Sequence, residues 1–520
     1  MLTDFLTHNY ALAWLIVVPF VASLILMAIP RTWGLAIRLI SAAAAGITLV
    51  ISSLLVWDYW GLLQSGAVPV NGTGTFDAIW KYDNPALHKL ITFGPNSAIS
   101  FHLATDGAGV AMCLLTAITI VAGVFASWTL QERTKEYYAL LLLLVAGVFG
   151  VFVTADLFFF FLFYEIAVLP MYLLIGIWGT GQKEYSAMKL TLMLLMGSAF
   201  IVVGFLALYV NSAHVLKFGT FDLLQLYNAA KMGAFGTEFQ RWFFLAFYLG
   251  FGVLAGIFPF HTWSPDGHAS APTATSMLHA GVLMKLGGFG LLRVALPLLP
   301  QGLHHWQWLI AIVAVINIVY GAFSAMGQRD LKYVVAYSSV SHLGMVMLGM
   351  AAGTVTAING AVFQMFAHGI MTALFFALVG LVYMKAHTRD IDAMGGLARV
   401  APGLAVAFTI GGLSSVGLPG TGGFVAEFLI FMGTFMTKPV ISAIACIGIV
   451  VTSIYVLRLL RRVFFGQLNT KLEHMEDART TEWVALALTS VVIIAVGVWP
   501  YPMIQLISSA VQPVVNGLIH

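Results

Sequence analysis

From Leu12 to Pro30 the chain carries no charged side chain, and apolar runs of similar length recur along most of its 520 residues. A helix needs about 20 apolar residues to cross a bilayer core. A chain made of such runs has few other solutions, because backbone polar groups in lipid must be satisfied within the segment itself. Composition agrees. Hydrophobic residues make up 60% without the 51 glycines, and only 9% of residues are charged, against about 25% in soluble domains. The expected fold class is an all-α polytopic membrane protein.

Other classes are excluded on the same page. Cys113 and Cys446 sit alone in apolar runs, which leaves no Cys₄ iron–sulfur site and no disulfide framework. A net charge of +3 spread over loops lacks the basic stripe that nucleic acid requires. Leu12–Pro30 reads as a first spanning helix rather than a removable leader.

About fourteen spans are expected, near 11–29, 34–57, 106–128, 137–154, 156–178, 185–211, 241–260, 272–298, 306–326, 331–352, 355–384, 402–436, 439–464 and 480–507. Loops after odd-numbered spans hold fourteen Lys and Arg residues and the other face six. This predicts odd loops in the cytoplasm and both termini on the outer side. Two spans are broken: the seventh at Phe258-Pro-Phe-His-Thr-Trp-Ser-Pro-Asp266 and the twelfth at Gly417-Leu-Pro-Gly-Thr-Gly-Gly423. Interrupted helices at matching places in two halves mark repeat-built transporters. The expected organisation is 1–136 for helices 1–3, 137–298 and 306–464 for two inverted five-helix repeats, and 465–520 for a loop and helix 14. Unrelated proline kinks are the plain alternative.

Charge inside a membrane costs about 2.5–3.5 kcal/mol even on the lenient scale, so each such residue needs a reason. Glu165 lies about nine residues into its span, ~13 Å deep, and Lys285 thirteen residues after Pro272, ~20 Å deep. Glu427 follows the break in span twelve by one helical turn. A structural ion pair and a proton-carrying role are both open for these three. Lys189 and Lys332 stand in the first turns of their spans, where snorkelling is the alternative. Asp106 and Arg293 read as anchors near span ends. His342 and His368 lie mid-helix, and His279 stands six residues before Lys285. Histidine titrates nearest neutrality, so a string of histidine, lysine and glutamate can pass protons along. Satisfied core histidines, or haem ligation, are the competing uses.

Several of these phrases resemble one family. Phe258-Pro-Phe-His-Thr-Trp-Ser-Pro-Asp, Ala271-Pro-Thr, Leu283-Met-Lys-Leu-Gly-Gly-Phe-Gly, Asp330-Leu-Lys-Tyr-Val-Val-Ala-Tyr-Ser-Ser-Val-Ser-His and Gly417-Leu-Pro-Gly-Thr-Gly-Gly-Phe-Val-Ala-Glu are similar to the antiporter-like proton-pumping subunits of respiratory complex I. His387-Thr-Arg-Asp-Ile followed by Gly395-Gly-Leu resembles the M-type branch, the bacterial counterpart of mitochondrial subunit 4 of NADH dehydrogenase. The resemblance covers roughly 100–470. It implies fourteen helices, inverted repeats, broken helices 7 and 12, and a hydrated axis in which Glu165 gates one half-channel. By the same resemblance Lys285 joins the half-channels, Glu427 stands on the exit side, and His342 and His368 lie between. One departure stands out. The family's helix-7 lysine falls at Leu254, and no basic residue occurs between Arg241 and His261. Lys189 is the expected substitute partner of Glu165; a slow or vestigial half-channel is the rival reading.

The function implied is proton translocation by a membrane-arm subunit of a complex I-type NAD(P)H or ferredoxin:quinone oxidoreductase, through Glu165, Lys285, Glu427, His342, His368, Lys189 and His279. The chain would be an enzyme subunit with no cofactor or metal of its own. NADH, FMN, iron–sulfur clusters and quinone are expected in partner subunits, neighbouring antiporter-like subunits among them, within a bacterial plasma membrane. A D-type subunit of a multi-subunit sodium/proton antiporter, or the membrane arm of a hydrogenase-related complex, is the alternative. The lack of a long carboxy-terminal amphipathic helix speaks against the L-type branch, with the chain expected to stop after span fourteen.

Overall fold

The computed structural model describes residues 10–69, 79–88, 91–94 and 98–519. Lys89, one of the six basic residues counted on the outer face, lies outside them, as do the first nine residues and His520. The first half forms α1 (Ala11–Ala28), α2 (Gly34–Gln64), α3 (Gly107–Ala126), α4 (Thr134–Val153), α5 (Leu157–Trp178), α6 (Lys183–Leu216), α7 (Thr237–Ala255), α8 (Trp263–Ser270) and α9 (Thr273–Leu298). The second half forms α10 (Pro300–Met326), α11 (Leu331–Ala352), α12 (Val355–Ala386), α13 (Pro402–Ser415), α14 (Gly422–Phe435), α15 (Pro439–Val463), α16 (Thr480–Val498) and α17 (Tyr501–Ile519). Among the described residues, twelve helices are long and apolar enough to cross a membrane: α1–α6, α9–α12, α15 and α16. The expected seventh span, 241–260, closes at Ala255 as α7, with α8 following beyond the break, and the expected twelfth, 402–436, is split in two as α13/α14.

One boundary is corrected. The span expected over 480–507 stops at Val498, and after Trp499 and Pro500 α17 begins as a separate helix. Trp499 leaves helical geometry at φ −130 and ψ 73, as the residue before Pro500 is biased to do. The run Trp499-Pro-Tyr is apolar enough to hide this break in a hydropathy reading. Leu506, Ile507, Ala510, Val511, Val514 and Leu518 of α17 are buried, at the i, i+3/i+4 spacing of an amphipathic helix. His304 bonds the Leu518 carbonyl at 2.7 Å, and Tyr59 reaches Ser509 at 3.4 Å. The chain thus continues past span fourteen into a short amphipathic helix of 19 residues, where it was expected to stop after that span.

The helices sort by what surrounds them. α3, α4, α9, α11 and α12 are enclosed almost throughout, whereas α1, α2, α6, α10, α15 and α16 expose most of their length. The exposed faces carry large apolar side chains, among them Leu24, Trp57, Leu169, Leu192, Val450 and Val491. Apolar surface on that scale is incompatible with water and suits lipid. Lys285, His342 and His368 lie on the enclosed helices α9, α11 and α12.

Both breaks are satisfied from within. At the first, Gly256 turns the chain out of α7 at φ +71. Asn317 of α10 then accepts the Phe258 N–H at 2.8 Å and donates to the Val340 carbonyl at 2.8 Å. Non-helical backbone at membrane depth is tolerated only with such internal partners. At the second, Gly417 closes α13 at φ +72, and Thr421 Oγ1 donates to the Leu418 carbonyl at 2.7 Å.

Candidate functional site: a buried polar axis

α9 is not a regular helix. His279–Leu283 and Leu291–Ala295 are π-helical, with the Met284 N–H reaching the His279 carbonyl and the Leu296 N–H reaching Leu291. Such bulges widen the turn and occur mostly at functional sites. Lys285 lies between the two, fully buried, and its Nζ donates to the Ala280 carbonyl of the first bulge. Its second partner is His368 Nδ1 on α12, at 2.8 Å. Two glycines permit this approach. A Cβ on Gly281 would lie 3.1 Å from the Gly369 carbonyl, and one on Gly369 would lie 2.6 Å from the Gly281 carbonyl. The α9 and α12 backbones therefore touch one residue from His368 and four from Lys285.

The axis continues without a gap. The His368 and His342 rings stand 5.1 Å apart, centre to centre. His342, on α11, places Nδ1 3.5 Å from Glu427 Oε1 on α14 and 3.1 Å from Gln364 Nε2, while its Nε2 lies 3.2 Å from Ser415 Oγ. Glu427 is 5% exposed. A Cβ on Gly417 would come within 2.5 Å of its Oε2, so the second break packs directly on the carboxylate. Four residues from four helices thus form a line: Lys285, His368, His342 and Glu427.

A second polar group lies toward the face that carries most of the basic loops. The end of α8 presents its carbonyls there: Arg389 Nη1 binds Ala269 O at 2.8 Å, Lys332 Nζ binds Ala271 O at 2.6 Å, and the Thr180 N–H binds Ser270 O at 2.8 Å. Cations suit the negative end of a helix dipole. A cleft of about 360 Å³ reaches Lys332 from this face, lined also by Glu132, Thr180, Pro272 and Tyr383. His268 of α8 lies close enough to Lys332 and Lys285 for their charges to interact. His268 and His279 rings stand 4.4 Å apart, and Trp263 stacks on His279 at 5.2 Å. Both ring nitrogens of His279 are buried without a hydrogen-bond partner among the described residues. The histidines thus lead from the cleft toward Lys285.

The expected Lys189–Glu165 pairing is corrected. Lys189 Nζ binds Asp266 Oδ2 at 2.7 Å, and the other oxygen of Asp266 accepts from Tyr333 at 3.2 Å. The broken span places Asp266 one helix away from Glu165, within reach of α6, and a nearby carboxylate captures the amine. Glu165 is half-buried beside Ser198, with Oε1 unbonded among the described residues. Leu254 is fully buried. Asp106 and Arg293 form a buried bidentate ion pair rather than interfacial anchors.

His268 and Asp266 were not singled out in the sequence, although Asp266 closes the broken-span phrase and His268 follows it by two residues. Helical spacing could not relate them to His279 or Lys189, because Pro272 and the break interrupt the register. Gln364 and Ser415 were missed for a plainer reason: neither carries charge.

Comparison with known proteins places this geometry. The family description "NADH:quinone oxidoreductase/Mrp antiporter, TM" matches residues 154–454. NAD(P)H-quinone oxidoreductase chain 4 1 of Synechococcus sp. (strain JA-3-3Ab) is 36% identical over 474 residues, covering 88% of each chain. NADH-quinone oxidoreductase subunit M of Rickettsia conorii is 35% identical over 417 residues, covering 80% of this chain and 83% of that one. A chain of respiratory complex I from Thermus thermophilus superposes with a TM-score of 0.82 at 26% identity, over 98% of this chain and 99% of that one. The chain belongs to the NADH:quinone oxidoreductase/Mrp antiporter transmembrane family, as an antiporter-like member of the M, or chain 4, type.

Proposed function

We propose that the chain is a proton-translocating membrane-arm subunit of a complex I-type NAD(P)H or ferredoxin:quinone oxidoreductase. It works as part of that translocase beside neighbouring antiporter-like subunits. The observation that carries the reading is the line Lys285–His368–His342–Glu427, in which neighbouring groups sit within direct or single-water reach. In a low-dielectric interior, changing the separation of one charged pair alters the proton affinity of the next. The groups then titrate as a coupled set, and a displacement at one end moves a proton at the other. Lys332 and His268, behind the cleft, supply protons to this line in our reading, and Glu427 passes them toward the opposite face. His279 and Glu165 serve the same axis, Glu165 through water beside Ser198. Lys189 acts through Asp266. The split spans α7/α8 and α13/α14 support two inverted repeats over 137–298 and 306–464.

The redox chemistry belongs in the partner subunits, where NADH, FMN, iron–sulfur clusters and quinone would be held. The two cysteines support this, since Cys113 and Cys446 lie on α3 and α15 with no thiol neighbour to share a cluster. We place the chain in a bacterial plasma membrane, and the basic-loop bias supports an orientation with the cleft facing the cytoplasm and both termini outside.

The test is native purification through a tag on this chain, with mass identification and a donor-to-quinone assay. Co-purifying flavin and iron–sulfur subunits with inhibitor-sensitive quinone reduction is the expected result. Small hydrophobic partners alone, with cation-driven proton exchange in vesicles, would replace this reading with the sodium/proton antiporter; a hydrogenase partner would replace it with that complex.

A further inference from the structure

On the face opposite the basic loops, three side chains converge outside the polar axis. Asp83 and His88 come from the segment between α2 and α3, and His102 from the stretch leading into α3. His88 Nε2 lies 2.6 Å and His102 Nε2 3.4 Å from the same Asp83 oxygen, Oδ1. The two imidazole rings are 4.1 Å apart, centre to centre, and the three candidate ligand atoms all lie within 4.8 Å of one another.

His102 gives this cluster its direction. It is 3% exposed, and its Nδ1 is bonded to the carboxylate of Asp222, from the segment between α6 and α7. With its proton held there, Nε2 presents a lone pair. That Nε2 is buried, has no hydrogen-bond partner among the described residues, and points at Asp83 and His88. A carboxylate that orients a histidine through its far nitrogen is the usual outer-sphere support of a metal-ligating imidazole. Asp222 is itself fixed, accepting the Gln225 N–H at 2.9 Å at the start of the short helix Leu223–Lys231.

We propose that Asp83, His88 and His102 form a site for one divalent transition-metal ion of the zinc class, with Asp222 as the positioning residue. Two imidazoles and one carboxylate suit Zn²⁺ or Co²⁺ and not Ca²⁺ or Mg²⁺, which take oxygen ligands. Tetrahedral bonds of about 2.0–2.1 Å set ligand atoms about 3.3 Å apart. The His102–Asp83 separation already matches. The His88–Asp83 contact must open by about 0.7 Å, which a side chain on a partly exposed segment can supply. The fourth position is left to solvent. The ion would fasten Asp83 and His88 to His102, which Asp222 already holds from the α6–α7 segment.

The test uses the tagged assembly purified in detergent, stripped with chelator and titrated with Zn²⁺ or Co²⁺ alone. The wild type should bind one equivalent more than His88→Ala, and Co²⁺ should give the intense visible bands of a tetrahedral site. Asp222→Asn should weaken that equivalent about 10–100-fold without abolishing it. His88→Cys should keep it and add a thiolate-to-cobalt charge-transfer band, which separates ligand loss from misfolding. Equal metal content and affinity in the wild type and His88→Ala would overturn the proposal, as would an octahedral Co²⁺ spectrum.

Discussion

Replacing His368 by leucine removes the middle of the polar axis while keeping an apolar group of similar bulk between α9 and α12. Lys285 then keeps only the Ala280 carbonyl and loses its 2.8 Å partner. A hydrogen bond involving a charged group contributes about 1.5–3 kcal/mol, which at 1.4 kcal/mol per decade is about 10- to 150-fold in the equilibrium for handing a proton past Lys285. The geometric loss adds to this. The links from Lys285 to His368 and from His368 to the His342 ring are 2.8 and 5.1 Å. Leucine leaves no titratable group between Lys285 and the His342 ring and fills space that bridging waters, each needing hydrogen bonds of normal length, would occupy. Proton translocation by the purified assembly in vesicles, read with a pH-sensitive dye, should therefore fall at least 10-fold. Donor-to-quinone activity should drop with it where the two are coupled. His368→Gln separates transport from folding, because its amide oxygen can still accept from Lys285 but cannot exchange protons. It should assemble like the wild type and still fail to pump. A wild-type ratio of protons to electrons in His368→Leu would refute the axis as drawn.

Three further outcomes follow from named contacts. Asp106 is paired with buried Arg293, which also lies over the Trp80 ring at 4.3 Å, and it caps α3 by accepting the Gly109 N–H at 3.0 Å. Asp106→Ala should cost about 3–5 kcal/mol for the stranded guanidinium and about 1 kcal/mol for the cap. Asp106→Ala/Arg293→Met should recover most of the first part, and thermal denaturation of the single variant at the wild-type temperature would contradict this. In double-mutant cycles, Lys189 should couple to Asp266 by about 0.5–1 kcal/mol, as a half-exposed pair does, and to Glu165 by nothing measurable. Coupling to Glu165 would restore the pairing the structure rejects. Gly417→Ala and Gly420→Ala both place a side chain at positive φ, +72 and +92, a cost of about 1–2 kcal/mol. Only the first drives a Cβ onto the Glu427 carboxylate, since Gly420 has open space. Pumping should therefore fall in Gly417→Ala beyond what Gly420→Ala shows; equal effects would mean that the carboxylate is not the cause.

What the amino-acid sequence determined by itself is what the bilayer makes expensive. Uncharged runs of spanning length declare the membrane class, and the proline-containing phrase at 258–266 and the glycine–proline phrase at 417–423 declare the breaks. Glu165, Lys285, Glu427, His342 and His368 stood out because each polar group in lipid needs a reason. Helical periodicity says which side of a helix such a residue occupies and nothing about which helix stands opposite. Partners were therefore decided by tertiary structure alone. Lys285 meets His368 because Gly281 and Gly369 let two backbones touch. Lys189 meets Asp266 because a split helix brings that carboxylate within reach, leaving Glu165 beside Ser198. His268 joins His279 across Pro272, where no spacing rule applies. The π-helical turns around Lys285 and the separate helix α17 also arise only in the packed chain. Lipid solvation is a property of each residue and can be read one residue at a time, whereas a proton path is a property of distances between helices.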